Sequence, residues 1–183
     1  MNSILFFKSV KGSTTKGEGP TGNEHQLRKW SPGIFRYSFA GMSKTRAYCY
    51  WLFHFTGVFK SNDYCVAYVV DGGKIIHHTV VFPAFYRFPF MRREDLQIGY
   101  VWTAESHRGR GVAKDTIRTI LAEWFADRTF WYLCEHDNIP SVRTAAALGF
   151  VEVGYGEKHS PYGLPVFDRY QIINHHGGTK HEQ

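Results

Sequence analysis

The sequence contains little cysteine and no long hydrophobic run. Its three cysteines, Cys49, Cys65 and Cys134, lie far apart and form no Cys-x-x-Cys pair. This distribution argues against a disulfide framework and favours a reducing compartment. The longest purely apolar run, Ala47 to Phe53, is far shorter than the ~20 residues that cross a bilayer. We therefore expect a soluble, cytoplasmic protein without a membrane span.

The sequence also lacks a recognisable metal-binding motif, although it contains 10 histidines. Neither an HExxH motif nor a Cys/His pattern is present. His175, His176 and His181 fall in a polar C-terminal stretch, and the adjacent His77 and His78 would point to opposite faces of a strand. No metal cofactor is expected.

Aromatic residues are abundant, at 17% of 183 residues, within a hydrophobic share of 43%. Such a surplus indicates a large aromatic pocket or an interface as well as a core. The composition predicts a single domain over residues 1–173, with a mobile loop near 11–23 and a flexible polar tail at 174–183. The net charge of +6 favours an anionic partner. Charge alone does not separate nucleic acid, a membrane surface and a phosphorylated cofactor.

The hydrophobic pattern predicts strands interleaved with helices. A 3.6-residue period predicts a helix over Val112 to Asp127, and one or two short helices are expected between Gly41 and Lys60. A further helix should begin at Asn138 as N-cap, with Pro140 in its first turn, and end before Gly149. Strands are predicted at Ser3–Val10, Asp63–Val70, Lys74–Val81, Gln97–Thr103, Thr129–Cys134, Phe150–Tyr155 and Pro165–Ile173. This order is typical of a three-layer α/β or α+β domain.

The segment Arg108 to Ala113 (RGRGVA) lies between a predicted strand and the strongest predicted helix. Its small residues allow a tight turn and the close approach of a ligand to the backbone. The first N–H groups of the helix lack internal partners and lie at the positive end of its dipole. Together these features favour the binding of phosphate oxygens. Taken alone, the segment is equally typical of an ordinary basic turn.

With a second motif downstream, this segment resembles the GCN5-related N-acetyltransferase superfamily. Arg108, Gly111 and Ala113 match the superfamily's pyrophosphate-binding pattern Arg/Gln-x-x-Gly-x-Gly/Ala, and Asn138 and Leu148-Gly149-Phe150 follow at suitable spacing. The resemblance implies a mixed, mostly antiparallel sheet flanked by helices. It also implies that two central strands splay apart to admit acyl-CoA.

The resemblance covers roughly residues 97–153 and implies the cofactor contacts. Backbone groups of Val101, Trp102 and Thr103 would bond the pantetheine arm. The pyrophosphate would be held by Arg108, Gly109, Arg110, Gly111, Val112, Ala113 and Lys114. Asn138 would approach the pantetheine, and Lys114, Arg118 or Arg143 could meet the ribose phosphate. The implied co-substrate is acetyl-CoA or another acyl-CoA.

The implied reaction is direct acyl transfer from the thioester to an amine of a small polar acceptor. Many relatives protonate the leaving thiolate with a Tyr four residues before the Gly of Leu-Gly-Phe, but this sequence has Ala145 there. Three explanations stay open. Tyr132 or Cys134 replaces the acid, the thiolate leaves unprotonated, or the domain binds acyl-CoA without catalysis.

A catalytic base is expected close to the splayed strands, because the attacking amine must lose a proton. Glu135 and His136, which follow the strand beside the cleft, are the preferred pair. His77 or His78 on the hairpin strand, and Glu105 beside the phosphate loop, are the alternatives.

The aromatic and cationic segment Pro83 to Arg93 is expected on the acceptor side of the cleft, where it would suit sugars, nucleotides or carboxylates. An amino sugar is the leading acceptor, and a homodimer is compatible with the pattern. Aromatic residues from Tyr48 to Phe59 would form either core or a fatty-acyl tunnel. No nucleic-acid partner is expected. In the alternative of a basic nucleic-acid-binding module, Arg108, Arg110 and Tyr86–Arg93 would contact phosphates and bases.

Overall fold

Eight strands of the described chain form one sheet in the computed structural model, which describes residues 4–9, 26–160 and 168–173. The strands are β1 Ile4–Ser9, β2 Gln26–Trp30, β3 Cys65–Asp71, β4 Lys74–Pro83, β5 Leu96–Thr103, β6 Phe130–Glu135, β7 Phe150–His159 and β8 Arg169–Ile173. Their order is β2-β3-β4-β5-β6-β1-β7-β8, antiparallel except for the parallel pair β5-β6. The loop predicted near 11–23 and the tail at 174–183 lie outside the described residues.

Three α-helices accompany the sheet in these ranges: α1 Lys44–Phe55, α2 Val112–Thr119 and α3 Ile139–Ala147. A π-helical turn at Ile120–Trp124 prolongs α2. As the sequence predicts, Asn138 caps α3, because its side-chain oxygen accepts a hydrogen bond from the Ser141 N–H at 3.2 Å. None of the helices in the described residues is long and apolar enough to cross a bilayer.

The two faces of the sheet carry separate hydrophobic clusters because side chains alternate along each strand. On β1, Leu5 and Phe7 belong to the cluster that includes α2 and α3, whereas Phe6 belongs to an aromatic cluster on the opposite face. Tyr50 and Phe53 of α1 pack against that second cluster. The result is the three-layer α+β architecture that the sequence predicts.

The two central strands separate after a short stretch of pairing. β5 and β6 pair only at Leu96–Phe130, Gln97–Trp131 and Ile98–Tyr132. Directly afterwards β5 contains a bulge. Val80 pairs with Gly99 and His78 pairs with Trp102, so two residues of β5 lie opposite the single residue between Val80 and His78. At the bulge Tyr100 has a φ of 46°. The splayed strands implied by the resemblance are therefore present, and the gap begins beyond Ile98.

Candidate functional site

The N-terminus of α2 lies just beyond the open end of β5. Gly109 and Gly111 both have left-handed backbone, with φ of 73° and 81°. Gly111 is the N-cap of α2, and its carbonyl accepts the Asp115 N–H at 2.9 Å. A Cβ on Gly109 would meet no atom within 4 Å, so this backbone is open. The first N–H groups of α2, from residues 112–114, have no helical acceptor and suit a phosphate.

Charged side chains surround this glycine turn. The Nε of Arg108 donates to the Thr103 carbonyl at 3.1 Å, which ties the turn to the end of β5. Arg110 is exposed. Arg118 pairs with the Asp115 carboxylate at 2.8 Å, which neutralises the only acidic residue in the first turn of α2. A pyrophosphate would therefore meet a net positive surface.

His77 is buried between two threonine hydroxyls. Its Nδ1 lies 2.8 Å from the Thr103 hydroxyl, and its Nε2 lies 2.9 Å from the Thr79 hydroxyl. Burial, with a smaller contribution from His78, lowers the pKa of His77 to about 4. The ring is therefore neutral at neutral pH, with both nitrogens engaged. These contacts give His77 a structural role.

Acid is expected to destabilise the fold through His77. Burial lowers the pKa of the ring from its ordinary value of 6.5 to about 4 in the folded chain. Between these values the unfolded state binds more protons, so the free energy of unfolding falls as the pH drops through this window. The full loss is on the order of 3 kcal/mol. Urea unfolding across this range should show the loss in the parent and a smaller one in His77→Gln. Equal pH dependence in both would contradict the assignment.

His78 points to the opposite face from His77 and stacks on Trp102, with ring centroids 5.3 Å apart and planes at 23°. It is 8% exposed, and its Nδ1 has no hydrogen-bond partner among the described residues. Burial lowers the pKa of His78. The rings of His78 and Trp102 line a cavity of about 770 Å³, which Lys74 and Tyr100 also line. His78 is therefore beside the gap, and its ring is uncharged at neutral pH.

A smaller cavity of about 240 Å³ opens where β5 and β6 separate. Its walls are largely aromatic and comprise Tyr50, Phe82, Phe85, Phe88, Tyr100 and Tyr170. Its polar lining residues are Arg87, Gln97, Cys134 and Glu135. The segment Pro83 to Arg93 contributes Phe85, Arg87 and Phe88 to this cavity. Phe53 and Phe59 pack in the aromatic cluster on the sheet and belong to the core, whereas Tyr50 packs against the same cluster and also lines the cavity.

Two polar features of this cavity were not predicted from the sequence. Gln97 is 9% exposed, and its side-chain oxygen has no hydrogen-bond partner in the described ranges. A ligand that donates a hydrogen bond to this oxygen would satisfy it. The hydroxyls of Tyr50 and Tyr100 lie 3.0 Å apart, and burial raises the pKa of Tyr50. The sequence signal for Gln97 is an amide within an otherwise apolar strand.

The two residues preferred as the catalytic base, Glu135 and His136, lie in different environments. Glu135 lines the cavity at the end of β6. The next residue, His136, is not part of the lining, and its ring lies 6.1 Å from the Tyr155 ring. Glu105 is exposed in a short 3-10 turn before Arg108. Of these candidates, Glu135 alone borders the cavity.

Tyr132 lies at the last paired position of β6, on the face covered by α2 and α3. It is 2% exposed and packs 5.7 Å from the Phe150 ring, in the cluster that contains Ala145. Burial raises the pKa of Tyr132, although a hydrogen bond to the Ser141 side chain opposes the shift. Its hydroxyl therefore stays protonated at neutral pH.

Burial also raises the pKa of Cys134 to about 11, so its sulfur is a thiol and a poor nucleophile.

Comparison with known proteins agrees with this geometry. The profile of the Acetyltransferase (GNAT) family matches residues 25–150. The GCN5-related N-acetyltransferase from Sphaerobacter thermophilus is 16% identical with a TM-score of 0.54, over 82% of this chain and 48% of that chain. An acetyltransferase from the GNAT family from Colwellia psychrerythraea is 16% identical with a TM-score of 0.52, over 83% and 53%. The chain thus spans about half the length of these two structures, which share its fold. No curated protein sequence matches it.

Proposed function

Because the chain belongs to the Acetyltransferase (GNAT) family, we propose that it transfers an acetyl or other acyl group from acyl-CoA to the amine of a small polar acceptor. The observation that carries this proposal is the end of β5–β6 pairing at Ile98 and Tyr132. The resulting gap borders the glycine turn before α2 at one end and the aromatic cavity at the other. A phosphate-bearing donor and an amine can therefore meet within it.

The chain offers a continuous set of groups for acyl-CoA. The backbone of residues 101–103 does not pair with β6, so it can bond a pantetheine arm as an added strand would. The amides of residues 109–114 would hold the pyrophosphate, with Arg108 and Arg110 supplying positive charge. Asn138 ends the loop that follows β6 and would flank the pantetheine. The thioester supplies the activated acyl group. No cluster of His, Cys, Asp or Glu that could hold a metal occurs among the described residues.

The acceptor would enter the 240 Å³ cavity with its amine towards the gap. The Gln97 oxygen can accept a hydrogen bond from the amine, and the Glu135 carboxylate can take the proton that the amine must lose. Backbone N–H groups of β5 beyond the bulge can donate to the carbonyl oxygen as it gains negative charge. The cavity is smaller than the ~300–1,000 Å³ of typical small-molecule sites. It therefore accommodates the amine-bearing end of the acceptor.

An amino sugar is the acceptor that this lining favours among those considered. Aromatic rings such as Phe85 and Tyr170 can contact the apolar face of a sugar, while Gln97 and Glu135 bind its polar groups. The experiment is a screen of amino sugars and other small amines with acetyl-CoA, measuring thiol release after acyl-CoA binding has been titrated by calorimetry. CoA binding without turnover of any amine would favour a non-catalytic acyl-CoA sensor. Tight, salt-sensitive binding of single-stranded nucleic acid without CoA binding would reverse the proposal.

Tyr132 is the leading candidate for the acid that protonates the leaving thiolate. Tyr132→Phe is therefore expected to lower turnover about a hundredfold with little change in CoA affinity. The effect lies at the lower end of the range for acid catalysis because a thiolate leaves readily. Since burial raises the pKa of Tyr132, an alkaline limb due to its ionisation would lie above the ordinary range of tyrosine. A pH–rate profile of parent and variant measures both effects.

Tyr64→Phe is the matched control for this substitution. Tyr64 is also 2% exposed, but it lies in the aromatic cluster on the α1 side and does not line the cavity. It should keep parental turnover. A Tyr132→Phe variant with parental turnover and an unchanged alkaline limb would leave unassisted thiolate departure as the simpler account.

A further inference from the structure

Helix α1 is apolar on both its inner and its outer side. Ala47 is 1% exposed, and Tyr50 packs in the aromatic cluster on the sheet. The outer side carries Tyr48, Leu52 and Phe55, which are 53%, 40% and 47% exposed. Several apolar side chains that are exposed side by side often mark a contact with a partner or a membrane. The outer side of α1 is therefore exposed where a contact with another surface is expected.

The turn before α1 adds two strongly exposed apolar side chains. Ile34 is 71% exposed and Phe35 is 97% exposed. Gly33 and Arg36 exchange two backbone hydrogen bonds of 3.2 and 3.0 Å, so the two apolar residues form the tip of a tight turn. Gly, Pro, Asn, Asp and Ser dominate such positions. The Trp51 Nε1 donates to the Gly33 carbonyl at 2.9 Å, which holds the turn against α1.

The charged residues in this part of the sequence all have one sign. The segment from residue 25 to residue 62 contains no Asp or Glu, and its charged residues are Arg28, Lys29, Arg36, Lys44, Arg46 and Lys60. Arg36 adjoins the apolar tip, and Lys44 lies one helical turn before Tyr48. Both are exposed. Exposed aromatic residues flanked by cations are typical of proteins that lie on anionic bilayers.

We propose that the outer face of α1 binds the surface of an anionic lipid bilayer, with the tip of the preceding turn inserted among the headgroups. On α1 this surface comprises Lys44, Tyr48, Leu52 and Phe55, and on the preceding turn it comprises Ile34, Phe35 and Arg36. A second copy of the chain fits it less well, because self-association would bring the same cations together. Nucleic acid fits less well because the face also exposes the aliphatic Ile34 and Leu52, which gain more from lipid than from bases.

Sedimentation with lipid vesicles tests the proposal. The full chain is expected to bind vesicles of equal parts phosphatidylcholine and phosphatidylglycerol, less so at high salt, and not to bind pure phosphatidylcholine. Phe35→Ser should weaken binding about tenfold, and Lys44→Ser about fivefold. Val151→Ser on β7, where the side chain is 53% exposed, is the matched control for Phe35→Ser. Arg169→Ser on β8 is the matched control for Lys44→Ser. Both controls should bind vesicles as the parent does.

The outcomes separate this proposal from acyl transfer. Phe35 is 97% exposed and lines neither cavity, so Phe35→Ser should fold and should bind acyl-CoA as the parent does. Absence of binding to anionic vesicles, or equal binding by parent and Phe35→Ser, would overturn the proposal. A concentration-dependent dimer that Phe35→Ser dissociates, without vesicle binding, would assign the face to a second copy instead. Binding of single-stranded nucleic acid that displaces the vesicles would also overturn it.

Discussion

Gly111→Val is expected to abolish acyl-CoA binding while most of the fold survives. Gly111 caps α2 with a φ of 81°, which a β-branched residue hardly ever adopts. An added Cβ would lie at ordinary contact distance from the Asp115 carboxylate, 3.4 Å, so the obstacle is the backbone conformation. Valine therefore forces the turn to move, and the first N–H groups of α2 move with it. Calorimetric titration with CoA should show no measurable binding.

Gly57→Val is the control that separates strain from ligand binding. Gly57 follows α1 with a φ of 73°, and a Cβ there would meet no atom within 4 Å. Both variants should lose about 1–2 kcal/mol of stability from the left-handed backbone, as urea unfolding would show. Gly57→Val should keep its affinity for CoA. Parental affinity in Gly111→Val would defeat the assignment of the cofactor site.

A loss of about 10²–10⁴-fold in turnover is expected for Glu135→Gln. The carboxylate borders the cavity at the end of β6, and the amine that attacks must first become neutral. Glutamine has the same shape but accepts no proton under these conditions. The KM for acyl-CoA should be unchanged, because Glu135 lies outside the proposed phosphate and pantetheine contacts. Steady-state kinetics with the amine found in the screen measures both quantities.

Two further variants make the result for Glu135 specific. Glu135→Asp keeps a carboxylate and should recover part of the turnover that Glu135→Gln loses. Glu157→Gln removes an exposed carboxylate of β7 that does not line the cavity and should behave as the parent does. If Glu135→Gln retained parental turnover, water would have to remove the proton, and Glu135 would not be the base.

The cofactor region could be predicted because it is local in sequence. Arg108 to Ala113 combines small residues, positive charge and the start of a strongly periodic helix, and each signal lies within a few positions of the next. The cavity could not be predicted in the same way. The bulge at Gly99 and Tyr100 inserts one residue and reverses the alternation of side chains along β5. Without the bulge, Tyr100 would share a face with Ile98 and would not border the cavity.

Two elements show why patterns alone fell short elsewhere. β2, Gln26–Trp30, is an edge strand with exposed Arg28 and Lys29, so its apolar alternation is too weak to predict a strand. The helix predicted over Val112 to Asp127 is α-helical only to Thr119 and continues as a π-helical turn to Trp124. A single π-helical turn is too short to give the sequence a period of its own, so the change is not visible in the hydrophobic pattern.

The short pairing of β5 with β6 also has a mechanical consequence. The sheet consists of a half with the order β2-β3-β4-β5 and a half with the order β6-β1-β7-β8, joined by three residue pairs. These pairs lie at one end of the gap, and beyond them the halves are connected by side-chain packing in the two hydrophobic clusters and not by backbone pairing, so the facing strand edges are held less firmly there. A pantetheine arm bonded in the gap would connect the two halves of the sheet through its hydrogen bonds. Amide protons of β5 beyond Ile98 should then exchange with solvent more slowly when acyl-CoA is added, because the proposed donor would itself stiffen this part of the sheet.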